Sequence, residues 1–93
     1  MNIIRQYTLK SEFGFQSLNL SGICRVLAIK NVNEKIRIYI WNSETTGNKD
    51  YHFCLVKQGE FIKENLLSYH YLDTVVIGEL TYHIWGNIER HSA

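Results

Sequence analysis

Four side chains in this sequence could do metal or nucleophilic chemistry. His52 and Cys54 lie two residues apart, and on a strand such a pair shares one face and can meet one ion. His70 and His83 could complete a tetrahedral set of nitrogen and sulfur ligands. Cys54 beside a histidine would equally be a nucleophile with its base. Both ideas meet physical objections. The ligands come from separate segments, with none of the clustered spacing that structural zinc sites use. The thiol sits among Phe53, Leu55 and Val56, where burial raises its pKa and makes it inert, and no oxyanion hole or orienting residue is marked. No phosphate-binding loop, dinucleotide fingerprint or nucleophile elbow occurs. The expectation is therefore a protein with no catalytic residue, no metal and no cofactor.

A second group suggests binding. Lys35, Arg37, Tyr39 and Trp41 alternate with Ile36, Ile38 and Ile40. If the isoleucines face a core, two cations and two aromatic rings face outward. Tyrosine, tryptophan and arginine dominate the energetics of protein interfaces. Single-stranded nucleic acid uses the same types, stacking bases on rings and pairing phosphates with cations. The plainer reading buries Tyr39 and Trp41 in a second apolar layer with Lys35 and Arg37 at its rim.

Strands must position these residues. Isoleucine, valine, threonine and aromatic residues dominate and alanine is nearly absent, which favours strands over helices. Strands are expected at residues 3–9, 15–20, 23–32, 35–41, 51–57, 69–77 and 80–85, several of them marked by period-two alternation. Segment 23–32 has apolar residues on both faces, as a centrally placed strand covered on both sides would. Asn31-Val32-Asn33-Glu34 predicts the turn of an antiparallel hairpin, and Gly78 that of a second. The polar run 42–50 has no apolar anchor and reads as an exposed loop. Phe61, Ile62, Leu66 and Leu67 predict one short helix around 60–67. Six or seven short strands in 93 residues read as a single small antiparallel β-sandwich or open barrel over residues 1–86, with a frayed polar tail at 87–93.

Composition narrows the setting. Net charge is +1 without any block of like charge, so there is no basic arm for duplex DNA. The apolar runs fall far short of the ~20 residues of a membrane span, so no membrane partner is expected. The first residues lack a signal peptide's apolar region, which predicts a cytoplasmic protein with Cys24 and Cys54 as free thiols. There is no proline, so strand edges must be guarded by charge, such as Arg5, Lys35 or Lys57, or covered by a partner, which makes a homodimer a further expectation.

The two ends carry a resemblance. The chain opens with Ile3-Ile4-Arg5-Gln6-Tyr7-Thr8-Leu9 and closes with Tyr71-Leu72-Asp73-Thr74-Val75 and Tyr82-His83-Ile84-Trp85. This resembles an uncharacterised family of small bacteriophage and prophage proteins. Asp73 stands where that family has glycine, and Trp85 where it has phenylalanine. The resemblance implies a phage setting inside a bacterial host, singles out His83, and brings no established activity with it. Small proteins of that setting often act on a host or defence complex, by analogy of context.

The leading expectation is a non-enzymatic accessory protein that binds and inhibits a bacterial protein complex such as a defence system, which makes it an anti-CRISPR candidate. Its binding residues are Lys35, Arg37, Tyr39, Trp41, His83 and Trp85. The alternatives are a single-stranded nucleic-acid-binding β domain, and a small metal-binding or Cys/His enzyme.

Overall fold

The longest alternating segments pair first. Ile29, Ile36, Ile38 and Ile40 are buried, and the hairpin that carries them turns at Asn33 and Glu34, both with positive φ (53° and 62°). Two successive left-handed residues make the turn whose twist matches antiparallel strands. The Asn31 side chain accepts from the Glu34 amide (2.9 Å) and braces it.

The computed structural model describes residues 2–62 and 65–91, with the side chains of 44–46 outside that description. Its strands are β1 (Asn2–Leu9), β2 (Gly14–Val32), β3 (Lys35–Lys57), β4 (His70–Ile77), β5 (Leu80–Gly86) and β6 (Glu89–Arg90). They form one six-stranded sheet in the order β4-β5-β3-β2-β6, with β1 paired to β3 as well. β3 is the spine. β2 runs along one edge of it, while β1 takes residues 36–43 and β5 residues 53–57 of the other. Every pairing is antiparallel except the short one between β6 and β2.

The sheet curls into a half-barrel around one core. Its two sides approach each other: Asn31 of β2 donates to the Val76 carbonyl of β4 (2.8 Å), and the Arg90 guanidinium of β6 donates to the Leu72 carbonyl of β4. Leu9, Val26, Ile38, Phe53, Leu55, Leu72, Ile84 and Ile88 fill the interior. Full burial of each large apolar side chain contributes roughly 1.5–3 kcal/mol before entropy is counted.

The all-β class and the open-barrel form match the sequence reading, and three details differ. Residues 42–50 are not a free loop. β3 continues through them, and β2 continues through Ser21 and Gly22 to meet it. The register steps from Ser21↔Asn48 to Ile23↔Ser43, so four residues of β3, 44–47, stand opposite Gly22 alone. Gly22 (φ 76°) and Gly47 (φ 99°) supply the left-handed backbone this excursion needs. The jump is five steps along β3 against two along β2. The difference is odd, so the inward-facing set switches from Ile36, Ile38 and Ile40 to Tyr51, Phe53 and Leu55.

The short helix is absent. Residues 60–62 and 65–69 are coil, turn and bend, and the two remaining positions, 63 and 64, lie outside the described residues. Phe61 (94% exposed) and Leu67 (91%) bury nothing, so no apolar face pays for helix nucleation in so short a segment. Residues 87–91 are not frayed either. Ile88 is 2% exposed in the core, and Glu89–Arg90 pair with β2.

Candidate binding face

Cross-strand neighbours point to the same side of a sheet, so the register defines the face opposite the core. Its first row is Ile4, Trp41 and Arg25; the second is Gln6, Tyr39 and Ala28; the third is Thr8, Arg37 and Lys30. Val32 and Lys35 complete it. The expected stripe thus lies where the alternation puts it, behind three isoleucines with no measurable exposure. Arg37, Tyr39 and Trp41 are half-buried, Lys35 is exposed, and Ile4 is 64% exposed.

The chemistry of this face is cationic and aromatic. Arg25, Lys30, Lys35 and Arg37 lie on it, and these rows contain no acidic side chain. The acid that reaches it is Glu89 of β6, which pairs with Arg25. The hydrogen bond from Arg25, and then its charge, hold the Glu89 carboxyl below the usual carboxylate range. Ile4, Gln6, Arg25, Ala28 and Lys30 were not legible as members of this face. Their place depends on the β1–β3 pairing and on the register shift between Val26 and Ala28.

His83 and Trp85 lie on the same side of the sheet, but beyond the excursion, on β5. Phe15, Cys54, Trp85 and Tyr71 form one row there, with Tyr71 edge-on to Trp85 (5.4 Å between ring centres). The loop between β3 and β4 brings Ile62, Leu66 and Tyr69 beside Trp85 around a cavity of about 340 Å³. His83 is tied on both ring nitrogens. With Gln58 Oε1 as acceptor, His83 Nε2–H donates (2.5 Å), and Nδ1 accepts from the Thr74 hydroxyl (2.9 Å), which in turn accepts from Tyr71. The chain of bonds anchors that loop to β4 and β5. The six expected binding residues therefore fall into two patches, an open one on β3 and a partly covered one on β5.

The candidate metal set does not converge. Cys54 and His52 point outward, whereas His70 pairs opposite Gly86 and Phe53's row and lines a cleft on the core side. His83 pairs with Val56, a full four residues along β3 from His52. Among the described residues, no group of three His, Cys, Asp or Glu side chains is gathered to hold an ion. Both cysteines are buried, and neither is in a disulfide among the described residues. Burial pushes the Cys24 thiol up, partly offset by a hydrogen bond from Tyr51, and burial followed by the Cys24 charge pushes the Tyr51 phenol up.

Together these features define a small all-β domain of one curled sheet, with an open cationic–aromatic outer face. Among the described residues, no helix is long and apolar enough to cross a membrane. The chain belongs to the family described as a domain of unknown function, DUF7352, which matches it over residues 1–93. No curated protein and no solved structure matches it.

Proposed function

We propose that this domain is a non-enzymatic binding module of phage or prophage type that docks on a bacterial protein complex in the host cytoplasm and inhibits it, a defence system being the leading class of target. The observation that carries this reading is the outer face of β1, β3 and β2. Trp41, Tyr39 and Arg37 stand there in successive rows, half-buried, with exposed Ile4 beside Trp41. Such a centre of aromatics and arginine within a polar rim matches the anatomy of interface hot spots. The resemblance of the two terminal segments to small phage proteins supplies the setting.

The test is capture of the target complex from host lysate by the tagged domain, repeated with the pair Tyr39→Ala and Trp41→Ala. Loss of capture with an unchanged thermal midpoint supports the reading. Capture undiminished by the pair removes this face from it.

One observation favours a second reading on the same face, a single-stranded nucleic-acid site. Four cations surround two aromatic rings, and those rows hold no acid. That reading expects retention of a labelled oligonucleotide that falls steeply with salt and is lost with Arg37→Ala. No retention at low salt excludes it.

A further inference from the structure

We propose that the seam between β2 and β4 is a binding site for a small oxyanion, phosphate or carboxylate, held by Lys49, His70 and Arg25. The site is a cleft of about 300 Å³, polar in lining, to which β2 contributes Arg25, β3 Lys49 and Tyr51, β4 His70, and the β5–β6 segment Asn87 and Glu89. It exists because β6 begins only at Glu89 and covers β2 only at Arg25 and Val26, so the seam beyond stays open beside the Gly22 excursion.

The pattern of hydrogen bonds in its walls sets the ligand's chemistry. Several acceptors in and beside its walls are already used by the chain's own donors. The Ser21 carbonyl takes the Asn42 amide (3.1 Å), and the Gly22 carbonyl takes the Tyr51 hydroxyl (3.4 Å). Asn87 Oδ1 takes the His52 amide (2.7 Å), and Glu89 takes Arg25. The donors are not used up. Lys49 Nζ lies 5.0 Å from the centre of the Tyr51 ring, positioned by a π face rather than by a carboxylate. The adjacent acid, Asp50, is held by Asn19 (2.8 Å). Among the described residues, Lys49 makes no ion pair, and His70 makes no hydrogen bond and acts on Glu89 only through its charge. The guanidinium of Arg25 has five N–H donors, of which Glu89 takes only part.

Three basic side chains from three strands therefore share one cleft with a single acid. An acceptor-rich anion satisfies the open donors and balances the unpaired charge of Lys49, which a neutral or cationic ligand cannot do. Lys49 and His70 are not on the outer face, while Arg25 borders both it and the cleft, so Lys49 and His70 are the residues that distinguish this site.

The experiment is an NMR titration of the intact domain with inorganic phosphate, and separately with acetate, at constant ionic strength. The His70 ring and Lys49 side chain are followed. Saturable shifts centred on these residues are expected. Lys49→Ala should weaken binding by about tenfold or more, the scale of one charge-assisted hydrogen bond, while Lys10→Ala, at an exposed position outside both the cleft and the outer face, leaves it unchanged. His70→Gln is the second variant. Stronger binding of phosphate identifies a phosphoryl ligand, and stronger binding of acetate a carboxylate. Shifts that never saturate, or an affinity that Lys49→Ala and His70→Gln leave unchanged, overturn the site.

Discussion

The guanidinium of Arg90 donates to the backbone carbonyl of Leu72, joining the last strand of the sheet to the first in its order. Arg90 also reaches the Asp73 carboxylate at 3.3 Å. Beside this tie, Ile88 sits in the core. The half-barrel is thus closed by the segment after Gly86, and that closure can be tested. Arg90→Ala should cost about 1–2 kcal/mol, the value of a charge-assisted bond plus an exposed ion pair. Ile88→Ala should cost about 2–5 kcal/mol through the cavity it leaves. Urea unfolding of the two variants measures both.

Gly86 should tolerate no side chain. Its φ is ordinary, but a Cβ there would lie 3.0 Å from Leu72 Cδ1, 3.1 Å from Phe53 Cδ1 and 3.2 Å from Ile88 Cγ2. Gly86→Ala overpacks three core side chains at once, and about 1–3 kcal/mol of destabilisation is expected. Gly47→Ala offers a contrast. Nothing lies within 4 Å, so its cost, about 1–2 kcal/mol, comes only from the positive φ. Thermal unfolding of both separates crowding from backbone strain.

Stability should fall at alkaline pH. The folded pKa values of Cys24 and Tyr51 are raised above ordinary values of 9.0 and 10.0. A raised folded pKa means stability fully present below the unfolded value and lost as pH rises through the folded one. The decline should begin near pH 9.0 with Cys24. In Cys24→Ala the first part of it should disappear, as measured by unfolding midpoints across pH.

His83→Ala should release the loop between β3 and β4 while leaving the core paired. It removes the bonds to Thr74 and Gln58, whereas Val56, Ile84 and Tyr82 keep their ladder. Hydrogen exchange should rise in residues 58–69 and stay unchanged in β2. Equal acceleration throughout would show that His83 supports the whole domain instead.

What the residues made legible was what alternation can carry. The Ile36, Ile38 and Ile40 face, the turn at Asn33 and Glu34, and the stripe behind it all follow from period two and turn chemistry. The polar stretch of β3 was not legible because side-chain amides and a carboxylate take the place of apolar contacts there. Asn19 donates to Asp50 (2.8 Å) and accepts from Asn48 (3.0 Å), a polar ladder across β2 and β3. Composition alone cannot distinguish such a ladder from a solvated loop. The helix expectation failed for a related reason: Phe61, Ile62, Leu66 and Leu67 suggest a helical face, yet the fold leaves Phe61 and Leu67 uncovered. The tail was misread because a single buried residue, Ile88, carries no periodicity. The seam cleft draws Arg25, Lys49 and His70 from three strands, so only strand order brings them together.

The excursion opposite Gly22 has a further consequence, for where this chain can grow. Because Ser43 and Asn48 are held by their own partners on β2, the chain between them is a slack joint whose length does not enter the pairing on either side. Elsewhere in β3 one added residue would turn every following side chain over. Between these two anchors, a short glycine–serine segment or a reporter tag should fit with the thermal midpoint nearly unchanged, since lengthening a loop costs only about 0.6 kcal/mol per doubling.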